Sequence, residues 1–104
     1  MIINAYEFEY RAKDLYSYYT SKQHLNRNEQ QCKALSKDIV VTALNIRLNK
    51  GLFNFDPISK VKLRGSYPRK LVVKVFKKLD LTTTHYTHEY GRTIVYFKDA
   101  SDSE

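Results

Sequence analysis

From Asn4 to about Tyr19 the residues Ala5, Phe8, Ala12, Leu15 and Tyr19 recur at steps of three and four, which places them on one face of a helix. Asn4 with Glu7 three residues on fits a capping start, the Asn oxygen taking a free amide and the Glu reaching back. Tyr6, Phe8 and Tyr10 also alternate, so a strand over Tyr6–Tyr10 competes with the helix locally. A polar connector, 21–28, leads to a second capping pair, Asn26 and Glu29, and to a helix reaching Asn49. Its apolar set is Cys32, Leu35, Ile39, Val40, Ala43, Leu44, Ile46 and Leu48. That set is wide enough to be covered on more than one side, and Gly51 is placed to end the helix in a left-handed conformation.

Leu52, Phe53 and Phe55 before Asp56-Pro57 are expected to form an extended hydrophobic anchor ending in a turn. Next, Lys60, Lys62 and Arg64 alternate with Val61 and Leu63, which predicts a short strand with its cations on one face. Gly65-Ser66 breaks it, and Ser66 or Tyr67 with Pro68 opens a third helix. There Val72, Val75, Phe76 and Leu79 share one face, while Lys70, Lys74, Lys77 and Lys78 gather on the other. Leu81–His88 and Arg92–Lys98 are rich in β-formers and flank Glu89-Tyr90-Gly91, which predicts an antiparallel hairpin with a three-residue connection. The expected fold is one α+β domain over 1–98, followed by a frayed acidic tail, 99–104. The order of two helices, short strand, basic helix and hairpin is similar to the general plan of winged-helix modules, in which a helix enters the major groove and the hairpin touches the backbone. It departs from that plan because the short strand normally follows the first helix.

Charge adds the main functional clue. The 104 residues carry a net charge of +7. Eight basic residues and no acid lie between Pro57 and Leu79: Lys60, Lys62, Arg64, Arg69, Lys70, Lys74, Lys77 and Lys78. The whole excess therefore belongs to this stretch. A row of cations gains from counterion release on a phosphate backbone, so DNA or RNA is the expected partner. Lysine outnumbers arginine six to two. As a point charge without the planar fork that reads guanine, lysine favours backbone contact over base discrimination. Tyr67 beside Arg69, and Arg92 at the hairpin tip with Tyr90, are candidate second contacts through stacking and charge.

Other chemistries are weaker. His85 and His88 stand three apart in a predicted strand and so point to opposite faces. No cysteine or carboxylate pair completes a metal shell, and no metal or cofactor is expected. A metal-independent ribonuclease would draw on Arg64, Arg69, His85, Tyr86 and His88. A third reading is a phage, viral or mobile-element protein that inhibits a host nucleic-acid enzyme through an acidic surface, with tyrosines of the first helix (Tyr6, Tyr10, Tyr16, Tyr18) as contact area; the same helix could support a homodimer. The single Cys32 rules out an internal disulfide, and no apolar run is long enough for a membrane span, so a cytoplasmic protein is expected.

Overall fold

A computed structural model describes residues 3–102; Met1, Ile2 and the last two residues of the expected tail, Ser103 and Glu104, lie outside that range. The fold is α+β. Three helices, α1 (Ala5–Ser21), α2 (Arg27–Lys50) and α3 (Arg69–Lys78), pack with three strands, β1 (Lys60–Lys62), β2 (Leu81–Glu89) and β3 (Arg92–Asp99). The sheet is antiparallel in the order β1-β3-β2.

The capping readings hold at both asparagines. Asn4 accepts from the Glu7 amide at 2.9 Å, which starts a helix through Tyr6–Tyr10 and excludes the competing strand. Glu7 does not reach back as expected, because its carboxylate takes the Arg11 guanidinium at 2.9 Å. At α2 the box is complete: Asn26 and Glu29 each accept the other's backbone N–H. Gly51 ends α2 at φ 55°, as its position predicted.

Phe97 of β3 organises the core, its ring 5.3 Å from Phe8 of α1 and 5.5 Å from Phe76 of α3. Val61 and Val95 pair beside it, fully covered. Helices α1 and α3 therefore meet the same face of the sheet, and α2 packs against both of them. The opposite face carries a row across the strands: Lys60 lies over the Tyr96 ring at 5.5 Å, and His85 packs on that ring's other neighbour side at 5.4 Å.

Three expectations change. Leu52, Phe53 and Phe55 are not a core anchor; a 3-10 turn, Gly51–Phe53, holds all three in solvent, and Leu48 is exposed as well. Asn54 takes the inward position instead, its carbonyl accepting from the Ala5 amide at 3.3 Å and its Nδ2 donating to the Gly51 carbonyl at 2.8 Å. Asp99, assigned by sequence to the tail, ends β3 and is buried against Arg11.

The hairpin connection is also shorter than expected. Glu89 pairs with Arg92, which leaves a two-residue turn with Tyr90 at φ 53° and Gly91 at φ 76°. Two left-handed residues give the twist that matches the strands, and asparagine is the preferred first residue there. Tyr90 is 93% exposed and packs on nothing that would compensate its backbone conformation. Tyr90→Asn is expected to raise stability by about 0.5–1 kcal/mol. A higher urea midpoint at unchanged slope is the readout.

Candidate nucleic-acid interface

The basic segment is built around one buried carboxylate. Asp38 of α2 accepts from the backbone N–H of Arg64 at 3.0 Å and of Gly65 at 2.9 Å, from Tyr67 Oη at 2.6 Å and from Thr42 Oγ1 at 3.2 Å. Burial first, and then the Asp38 carboxylate, pushes the Tyr67 phenol pKa up, so the hydroxyl stays protonated and donates. The Tyr67 amide donates to Thr93 Oγ1 at 2.9 Å, and the Tyr86 hydroxyl donates to the Tyr67 carbonyl. A Cβ on Gly65 would stand 3.0–3.2 Å from the Tyr67 side chain, so glycine permits this close approach. The connector from β1 to α3 is thereby fixed against the middle of α2.

That attachment brings basic residues to both halves of α2, with the Lys60 and Lys62 ammonium groups turned to Tyr96 and Glu89. Toward its N-terminus, Asn28 and Gln31 face Lys70 and Lys74 across a groove of about 520 Å³. Toward its C-terminus, Thr42, Asn45 and Asn49 border a groove of about 370 Å³ that also takes Lys60, Lys62, Arg64 and Arg92. No aspartate or glutamate lines either groove. The α2 members share one side of the helix, and buried Leu35 and Asp38 under the connector separate the two grooves. From Asn28 to Asn49 the two grooves together extend about 32 Å at 1.5 Å per residue.

The eight cations of the segment do not form a single surface. Lys60, Lys62, Arg64, Lys70 and Lys74 border the α2 grooves, and Arg92 joins them. Lys77 faces the β2 side, sharing a hollow with Asp80, and Lys78 faces α1, sharing one with Asp14. Arg69 is exposed at the start of α3. Among the described residues Lys62 alone of the eight makes an ion pair, with Glu89 at 3.4 Å. Four carboxylates elsewhere are engaged with cations outside the segment: Glu9 with Lys13 and Arg47, Glu29 with Lys22, and Glu7 and Asp99 with Arg11.

The sequence candidates outside the lysine rows have mixed fates. Tyr67 is half-buried with its hydroxyl held by Asp38, so it shapes the turn and is not a free stacking surface. Arg92 donates from Nε to the Leu63 carbonyl at 2.8 Å and from Nη2 to the Lys62 carbonyl at 3.2 Å, which pins β1 while leaving its other N–H groups at the groove. His85 and His88 do lie on opposite faces. The first packs on Tyr96, and the second packs on Tyr86 with Nδ1 3.3 Å from both Ser66 Oγ and Thr93 Oγ1. They form no acid–base pair across one cleft. Among the described residues no group of three His, Cys, Asp or Glu side chains is placed to hold a metal, and no helix is long and apolar enough to cross a membrane.

Sequence reasoning missed Asp38 and the amides of α2. A signal for them exists: Asn28, Gln31, Asp38, Thr42, Asn45 and Asn49 stand at steps of three, four and seven on one side of the helix, interrupted by Leu35. No protein family, curated protein or solved structure matches the chain.

Proposed function

We propose that this chain binds the phosphate backbone of DNA or RNA along α2, with little sequence specificity. The observation that supports it is the gathering of Lys70 and Lys74 at one groove of α2 and of Lys60, Lys62, Arg64 and Arg92 at another, neither groove being lined by a carboxylate. Lysine heads supply point charges to phosphates, and the Asn and Gln amides supply neutral hydrogen bonds between them. The two grooves, one on each side of the connector, together extend over about nine base pairs of duplex, at roughly 3.4 Å each. The only guanidinium groups bordering the grooves are Arg64 and Arg92, and Arg92 is already committed to two carbonyls, which limits bidentate reading of bases.

Duplex DNA, duplex RNA and single strands titrated over a range of salt test the reading. Micromolar affinity with a steep salt slope is expected for at least one of them. Lys70→Gln with Lys74→Gln should reduce that slope by about 2, and Lys62→Gln with Arg64→Gln by a similar amount, at about 0.9 per phosphate contact. Lys77→Gln with Lys78→Gln should change it by less than about half as much, because both side chains face away from α2. Unchanged binding in both α2-facing pairs would overturn the proposal. Absence of binding to every nucleic acid near physiological salt would redirect it to an acidic protein surface.

A further inference from the structure

One end of the molecule exposes a large apolar surface that the grooves do not use. Leu48 in the last turns of α2, Leu52, Phe53 and Phe55 in the following loop, and Tyr6 and Tyr10 on the first turns of α1 are all exposed, Leu52 to 96% and Phe55 to 76%. They share one end of the molecule, Tyr6, Tyr10 and Phe55 through direct neighbourhood and the others through the short chain that joins α2 to Phe55. The Phe55 ring lies 5.3 Å from Tyr6, Tyr6 and Tyr10 border one hollow with Arg47, and Leu48 follows Arg47 in the helix. The loop is held in this form: Gly51 turns it, Asn54 is tied to Ala5 and Gly51, and the Asp56 amide donates to the Phe53 carbonyl at 3.0 Å. Folding therefore leaves these side chains outside by construction, although burial would favour them inside.

We infer that this end is a homodimer interface, with a second copy of the chain as its occupant. The first support is area. Weighted by exposure, at roughly 200 Å² for a large apolar side chain, the six residues offer about 800 Å² per copy, the amount a stable complex buries on each partner. Single monomers seldom leave so much apolar surface exposed at one end. The second support is charge. Arg47 and Lys13 at the border are both paired with Glu9, and Lys50 and Asp56 contribute one charge of each sign. One net positive charge per copy remains at this border, so two strongly basic chains repel far less here than they would through the basic segment with its eight cations. A two-fold contact also needs a patch able to face itself, and aromatic and aliphatic groups without a directional charge meet that need. Because Asn49 and Lys60 border the C-terminal groove of α2 beside this end, dimerisation would bring both grooves to one junction.

Sedimentation equilibrium of the full chain, freed of nucleic acid in high salt, tests the inference. The expected mass rises with concentration to twice the 12.3 kDa of one chain. Leu52→Asp with Phe55→Asp should return the protein to a monomer with an unchanged circular dichroism spectrum and an unchanged salt slope for nucleic acid per chain. A wild-type monomer at every concentration overturns the inference. So does a dimer indifferent to the two substitutions, growth beyond a dimer, or a monomer that instead floats with anionic phosphatidylserine vesicles. None of these outcomes depends on whether the grooves bind nucleic acid.

Discussion

Asp38→Ala is expected to lower stability by about 3 kcal/mol and to weaken the proposed nucleic-acid binding, the opposite of what loss of one negative charge alone would predict. Four donors converge on this carboxylate: the Arg64 and Gly65 amides, the Tyr67 phenol and the Thr42 hydroxyl. Removing it leaves several of them unsatisfied in a buried place, and each such group costs roughly 1–3 kcal/mol, offset in part by relief of burying a charge. A binding measurement separates the structural role from the electrostatic one. On charge alone, deleting an anion from a basic protein should tighten its hold on phosphate. Because Asp38 fixes the connector that sets β1 and α3 against α2, its loss should release the alignment of Arg64 and Lys70, giving weaker binding and a shallower salt slope. Urea unfolding together with salt titration of the folded variant decides it. A change under about 1 kcal/mol, or tighter binding, would show that the turn is held by other contacts.

What sequence could supply here was periodicity, and what it could not supply was partners distant in the chain. The amphipathic α3, with Val72, Val75, Phe76 and Leu79 buried and its lysines in solvent, follows from spacing alone, as do the alternation across β1 and both asparagine caps. These are local facts, written within a few residues. The Asp38 to Gly65 contact joins positions 27 apart, and nothing at either position announces the other. The same limit explains Leu52, Phe53 and Phe55. Composition marks them as core material, but Asn54 satisfies backbone groups of the neighbouring α1 start and takes the inward place, so the flanking apolar groups turn outward. It also explains the division of the basic segment. Charge counting placed eight cations in one stretch, whereas the direction each side chain takes depends on which element covers α3 on each side.

Arg11→Met is expected to cost about 3 kcal/mol near neutral pH and much less in acid. The Arg11 guanidinium is the tie between three elements: Nε donates to Glu7 within α1, Nη1 to the Leu79 carbonyl at 3.1 Å where α3 ends, and Nη2 to the Asp99 carboxylate at 3.1 Å where β3 ends. Burial raises the Asp99 pKa, but hydrogen bonds from the Ser101 amide and hydroxyl and from Arg11 outweigh it and hold the group below its ordinary 3.8. A depressed carboxylate pKa gives a stabilisation that is complete above the unfolded value and disappears as pH falls through the folded one. The wild-type protein should therefore lose this contribution only below pH 3.8, joined by Glu9, whose pKa burial raises but Lys13 and Arg47 bring below its ordinary 4.5. In Arg11→Met the Asp99 carboxylate stays buried with only Ser101 to satisfy it, so its folded pKa rises and protonation becomes a relief. The stability curves of the two proteins should then converge below pH 3.8, while the difference persists at neutral pH. Parallel curves would mean that Arg11 acts through packing of its stem on α1 and not through the buried pair. A double variant with Asp99→Asn distinguishes these, because coupling through the ion pair makes the two losses less than additive.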